Sequence, residues 1–305
     1  MGRRSWMTLL AAILYVGSSV GVTAERLVVY AVNYPLQYFA QRIAGEHAEV
    51  VLPVPPDVDP AFWQPDTRVI GHYQQADLIL LNGAGYARWV SRVSLPQRKL
   101  VDTSAGFRDR YIDTEGRVTH SHGREGEHSH AGTAFTTWLD FSQAVEQARA
   151  VRHALSRRMP EHEDTFAGNL HALEQDLFDL DTRMKGLVVR DPAKPLLASH
   201  PVYQYLARRY SLNLKSVMWE PDVMAPDTEW QILARLREGH PANWMLWEAD
   251  PALEVSERLQ QLGIQSTVFD PCGNRPESGD FLSVMLDNLV NIARVFDQLT
   301  DHGGE

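Results

Sequence analysis

From Phe166 to Leu187 the chain sets an apolar residue at alternating steps of four and three: Phe166, Leu170, Leu173, Leu177, Leu180, Met184 and Leu187. That spacing makes one face of a single helix apolar along its whole length. Pro160 suits its first turn, and Gly186 with Pro192 suits its end. A helix of roughly 27 residues is about 40 Å long, so what it covers must be comparably long. A shorter helix is expected just before it, at 141–158. Such a stripe would also serve a coiled-coil dimer seam, but the segments on either side favour a helix that covers sheets.

Those segments alternate short β-rich runs with helical patterns, and they do so twice. Strands are expected at 26–32, 49–54, 77–82 and 99–102, with helices at 35–44, 66–75 and 83–92. A second series follows, with strands at 195–199, 214–218, 244–248 and 265–269 and helices at 202–210, 228–238, 252–262 and 280–299. Alternation of this kind predicts parallel sheets covered by helices. The expected fold class is α/β: two parallel-sheet lobes joined by a long backbone helix, with a ligand cleft between them. The expected boundaries are an N-terminal lobe at 25–159, a linking helix at 160–190 and a C-terminal lobe at 191–305.

Residues 1–24 stand apart. Arg3 and Arg4 precede a mostly apolar run from Trp6 to Val22, and Val22-Thr23-Ala24 ends in a small residue. This reads as a secretory signal cleaved near Ala24; Gly17, Ser18 and Ser19 interrupt the run and make it a poor permanent anchor. No cysteine follows it closely, which speaks against an acylated lipoprotein. The chain carries a net charge of −10, and the only charged residues of the signal-like segment are Arg3 and Arg4, so the remainder is at −10 − 2 = −12. An exported acidic protein is poorly suited to nucleic acid or to anionic lipid. Its one cysteine, Cys272, leaves no intrachain disulfide, so the fold rests on its core.

In open α/β sheets ligands sit outside the carboxyl ends of the strands. In the second series those ends carry His200, Glu248 and Asp270, one imidazole and two carboxylates, which is a metal-ligand set. The first series offers oxygen donors instead: Asn33, Asp57 and Asp59, and Asn82. Trp63, Trp138, Trp219 and Trp247 are expected beside the cleft, and aromatic walls favour organic or cationic ligands. A second histidine source is the stretch THSHGREGEHSHAG, whose His120, His122, His128 and His130 fall within eleven residues in a loop expected at 119–132. A loop of this composition packs no core, and repeated H-x-H pairs point to metal. It would lose entropy on closing, which suits capture and hand-over. Enzyme signatures are weak. The G-x-S-x-G at Gly17–Gly21 lies in the signal, Gly83-Ala84-Gly85 lacks the third glycine of a dinucleotide loop, and neither an H-E-x-x-H nor a P-loop is present. A metal-dependent hydrolase ranks below a binding protein.

Taken in order, VNYPLQYFAQRIAG, ADLILLNGAGYARWV, the His-rich loop followed by Trp138–Asp140, SHPVYQYLARRYSL and VFDPCG resemble the periplasmic solute-binding proteins of zinc and manganese ABC importers, the ZnuA/TroA-like family. The resemblance covers essentially the whole exported chain. It implies a rigid pair of lobes with metal in the cleft, most simply Zn2+, with Mn2+ or another divalent metal as alternatives. It implies as partners an ABC permease with its ATPase, a monomeric state and a periplasmic location. Carried over by position, the family's metal ligands match His200 and Asp270, whereas Ala61 and Thr136 stand where the family places two further histidines. Three readings stay open: a cleft completed by a loop histidine such as His128 or His130, a cleft given over to an organic ligand, and a loop that buffers zinc alone. Asp59, Asn82, Thr136, Trp63 and Trp138 are the first-lobe residues expected to touch a cleft ligand.

Overall fold

The computed structural model describes residues 26–114, 119–122, 126–129 and 132–297. The segment read as a signal, and His130, lie outside the described residues. The first lobe is a parallel sheet of β1 (Leu27–Ala31), β2 (Ala48–Val51), β3 (Leu78–Leu81) and β4 (Leu100–Asp102), in the order β2-β1-β3-β4. Two small antiparallel pairs follow, β5 (Asp113–Thr114) with β8 (Gly132–Thr133), and β6 (Thr119–His122) with β7 (Gly126–Ser129). The second lobe repeats the first: β9 (Pro195–Ala198), β10 (Asn213–Ser216), β11 (Trp244–Trp247) and β12 (Gln265–Val268), in the order β10-β9-β11-β12, all parallel.

Helices α1 (Tyr34–Ala44) and α2 (Thr67–Gln75) cover the first sheet. Asn33 caps α1, its side chain accepting from the Leu36 amide at 3.2 Å, and Asp66 caps α2 at the Val69 amide. Then come α3 (Phe141–Arg158) and α4 (Glu163–Val188), followed in the second lobe by α5 (Gln204–Tyr210), α6 (Asp227–Glu238), α7 (Leu253–Gln261) and α8 (Phe281–Asp297). The long periodic segment is indeed one helix. Phe166, Leu173, Leu177, Leu180 and Met184 are buried on α4, with Leu170 and Leu187 packed at the margin. Its apolar face is covered within this chain by α1, α3 and α8, so the stripe is intramolecular core and not a dimer seam.

One expected element is absent. Residues 83–92 do not form a helix; only a short 3-10 turn spans Arg88–Arg92. Gly83, Ala84, Gly85 and Ala87 all take φ between 51° and 75°, a left-handed region that a right-handed helix excludes. A side chain at position 83 would collide with Ser104, Asp102 and Tyr111. The loop therefore turns sharply at the end of β3, which carries Tyr86 to the cleft.

Hydrogen bonds tie the lobes together. Trp138 Nε1 donates to the Pro271 carbonyl at 2.7 Å, and the Tyr34 amide to the Gly273 carbonyl at 2.9 Å. Tyr205 Oη donates to the Ala134 carbonyl at 3.0 Å, and Asn274 Nδ2 reaches the carbonyls of Pro55 and Val58 at 2.6 and 2.8 Å. Phe281 of α8 stands against Tyr38 and Phe39 of α1.

Candidate functional site

In each sheet the strand order reverses direction between the two central strands, β1 and β3 in the first lobe and β9 and β11 in the second. The loops that leave such a pair run to opposite sides and open a crevice. In the second lobe His200 follows β9 and Glu248 follows β11, so this pair stands at the crevice. Backbone bonds carry the ladder beyond the strands and hold these ends: Ser199 N to Leu246 O, Trp219 N to Ser199 O and Phe269 N to Trp247 O, each 2.8 Å.

His200 is 2% exposed and lies between two carboxylates. Its Nδ1 is 3.2 Å from Glu248 Oε1, and its Nε2 is 3.3 Å from Glu220 Oε1. The two ring nitrogens diverge, so one metal ion cannot meet both. A metal on either nitrogen takes the carboxylate on its own side, and the other carboxylate then fixes the far nitrogen and the ring. Glu220 was not among the residues singled out in the sequence. It lies in the irregular stretch between β10 and α6, where no periodicity marks it. Trp219 beside it is the signal, since its amide bond to Ser199 fixes the loop next to His200.

Asp270 lines the same cavity, which measures about 350 Å³ and is bounded also by His200, Glu248, Asp59, Tyr86, Phe135, Thr136 and Trp138. Burial pushes the Asp270 carboxyl up, and the Cys272 amide, 2.6 Å from Oδ1, offsets this only in part. Asn288 braces the backbone of Asp270 through both its amide atoms. Burial, followed by the charges of Asp270 and Asp280, raises the Cys272 thiol far above neutrality. Cys272 is a free, buried thiol.

The first lobe fills the equivalent crevice with amides. Asn33 Nδ2 donates to Asn82 Oδ1 at 3.2 Å, Gln147 Nε2 donates to the same oxygen at 3.2 Å, and Asn82 Nδ2 donates to the Phe135 carbonyl at 2.8 Å. Asn82 is thus committed to a buried network and does not line the cavity. Asp59 does line it, while its Oδ1 accepts the Ala61 amide at 2.8 Å. Thr136 also lines it, but its hydroxyl donates to the Val202 carbonyl. Of the four tryptophans expected beside the cleft only Trp138 lines it. Trp63 packs on Trp89, and Trp219 and Trp247 are buried in the second lobe's own core. Their indoles complete packing there, as large aromatic side chains most often do.

In the histidine-rich segment the backbone of β6 pairs with that of β7 and places His120 opposite His128, with His122 opposite Gly126. Among the described residues, no three His, Cys, Asp or Glu side chains stand where one metal ion would reach them all, and no helix is long and apolar enough to cross a membrane.

A family model for the periplasmic zinc-uptake complex component A, ZnuA, matches residues 29–295. The zinc-binding lipoprotein AdcA of Streptococcus pneumoniae strain R6 is 24% identical over 288 residues, which are 90% of this chain and 56% of AdcA. The chain thus spans little more than half the length of that relative. The manganese ABC transporter substrate-binding lipoprotein PsaA of Streptococcus pneumoniae is 25% identical over 295 residues, 91% of each chain. Among solved structures, the Zn(II)-bound ZnuA-like domain of Streptococcus pneumoniae AdcA superposes with a TM-score of 0.76 at 20% identity, covering 90% of this chain and all of that domain. The solute-binding protein FpvC of Pseudomonas aeruginosa, in complex with Mn2+, superposes with a TM-score of 0.70 at 19% identity over 89% of this chain and 99% of FpvC. At these identities the superpositions establish the two-lobed fold.

Proposed function

The chain belongs to the periplasmic zinc-uptake complex component A family, and on that premise we propose that it captures a divalent metal in the cleft and delivers it to an ABC permease. Zinc is the first candidate. The observation that carries this reading is the imidazole of His200 at the crevice between β9 and β11, with a carboxylate 3.2–3.3 Å from each ring nitrogen. Asp270 lines the same cavity. One imidazole with several carboxylates suits zinc and also a harder ion such as manganese. The bonds between the lobes support a cleft that changes little on binding, which lowers the ordering cost of capture. The working unit is a monomer, exported by cleavage near Ala24, with N-terminal lobe 25–159, linking helix 160–190 and C-terminal lobe 191–305. The segment at 119–132, with His120, His122, His128 and His130, gathers metal and passes it to the cleft.

Calorimetric titration of zinc into the metal-free protein tests this, beside variants lacking 120–130 or carrying His200→Ala. The shortened protein should keep one site, and His200→Ala should abolish that site in either background. If shortening removes all binding while His200→Ala in the full chain changes nothing, the cleft is not the metal site. The protein would then be a zinc buffer acting through its loop.

A further inference from the structure

Two loops of the second lobe carry the carboxylates beside His200, and each runs on into an exposed apolar tip. Val223 and Met224, 56% and 37% exposed, begin three residues after Glu220, and Leu253, 72% exposed, lies five after Glu248. Exposed apolar side chains standing singly are ordinary, but the fold gathers these together. The Ala252 amide donates to the Pro221 carbonyl at 2.7 Å and joins the two loops just behind their tips. The first loop is braced on either side of its tip. The Trp219 amide donates to the Ser199 carbonyl at 2.8 Å, and Trp230 Nε1 to the Ala225 carbonyl at 3.0 Å. Trp219 and Trp230 pack on each other with ring centroids 4.5 Å apart, and both are buried. Val223 and Met224 are thus left outside a frame whose own aromatic residues are inside. Asp222, Asp250 and Glu254, all exposed, flank the tips in sequence and give the patch an acidic rim.

We propose that this patch, Val223, Met224 and Leu253 within Asp222, Asp250 and Glu254, is the face on which the ABC permease seats. This rests on the capture-and-delivery reading above and names where the delivery partner touches. The permease surface that fits it is apolar at its centre and basic around that centre, matching an apolar patch with acids at its edge. The same acids repel anionic lipid, so the membrane itself is a poor occupant. A receiver of the ion must also stand at the cleft. A partner on this patch does so, because it grips both of the loops that bring carboxylates to His200. The bracing of the first loop means that docking there orders little new structure and so costs little entropy.

Uptake of radioactive zinc is measured in spheroplasts of the source bacterium deleted for this chain, with the purified, zinc-loaded full chain added back. Two variants alter the patch. The first carries Val223→Ser, Met224→Ser and Leu253→Ser together. The second carries Asp222→Lys with Glu254→Lys, and keeps the apolar side chains should the first fail to fold. Val290→Ser, at an exposed apolar position of α8, is the control, and zinc is titrated calorimetrically into every variant. With the protein below saturation, the first variant should lower uptake about tenfold, as losing the burial of roughly one apolar side chain would. The second should lower it in the same direction, and both should bind zinc as the wild type does. Val290→Ser should change neither uptake nor binding. Wild-type uptake by either folded patch variant overturns the proposal, as does a loss that merely follows loss of zinc binding or that Val290→Ser shares. It is also overturned if, in sedimentation velocity, the wild-type chain dimerises and the first variant does not while uptake is unchanged. The patch would then serve a second copy of this chain, and wild-type uptake would leave the delivery reading standing. If the wild-type chain binds zinc yet drives no uptake, the delivery reading fails and this docking face fails with it.

Discussion

At the scale of the residue, the site turns on His200 and the carboxylates either side of it. Carboxylates bonded to a ligating imidazole fix its orientation and raise its basicity, and losing one costs about 10–100-fold in metal affinity. Glu220→Gln and Glu248→Gln should each weaken zinc binding by about that factor in calorimetric titration, with circular dichroism unchanged. The larger loss identifies the ring nitrogen that meets the metal. Because both act through one ring, the double variant should depart from additivity. Unchanged affinity in both single variants would remove His200 from the site. Glu248 was legible in the sequence because it ends a strand. Glu220 was not, because its approach depends on how an irregular loop folds back. Thr136 and Asp59 were legible as positions, but the Val202 carbonyl and Ala61 amide that engage them appear only in three dimensions.

At the scale of the element, α4 was the easiest part to read, since every apolar residue of its stripe repeats at helical spacing. Leu177 at its middle is fully buried, so Leu177→Ala should cost about 2–5 kcal/mol in urea unfolding. A less visible feature of the same helix is Asp181. Its carboxylate accepts from Arg209 at 2.8 and 2.9 Å, from Lys185 at 2.6 Å and from Tyr210 at 3.0 Å. Burial pushes this carboxyl up, but the bonds from Arg209, Lys185 and Tyr210 outweigh burial and leave it below its ordinary range. A depressed folded value stabilises the protein above the unfolded value of about 3.9, and the gain fades as pH falls from there through the folded value. Asp181→Asn should therefore lower stability at neutral pH. A loss of about 3 kcal/mol is expected, the low end for a broken buried pair because Arg209 is partly exposed. The gap from wild type should narrow below about pH 3.9, and a gap constant from pH 7 to 3 would contradict the assignment. The 83–92 segment was misread for the opposite reason. Its alanines suggest helix, and nothing local reveals that Ala84 and Ala87 adopt left-handed backbone.

At the scale of the whole molecule, the two-lobed plan was readable because each lobe repeats the same strand–helix order. The coupling between lobes was not, because its partners lie far apart in the chain: Trp138 with Pro271, and Asn274 with Pro55. One buried cluster runs from Val29 and Leu80 of the first sheet, through Leu173 and Leu177 of α4, to Leu196 and Leu246 of the second sheet. A second, smaller cluster around Trp219, Trp230 and Trp247 fills the far side of the second sheet. The larger core is shared across the cleft, so the first lobe has no interior separate from the second's, and only the smaller cluster belongs to one lobe. Differential scanning calorimetry of the metal-free protein should accordingly give one transition whose calorimetric and van't Hoff enthalpies agree. Zinc should move that transition upward as a unit, because an ion bound only by the native state stabilises everything that unfolds with its site. Two transitions, with zinc shifting only one, would mean that the lobes are thermodynamically separate. The cleft would then be a hinge, and the preformed site described above would have to be assembled at each capture.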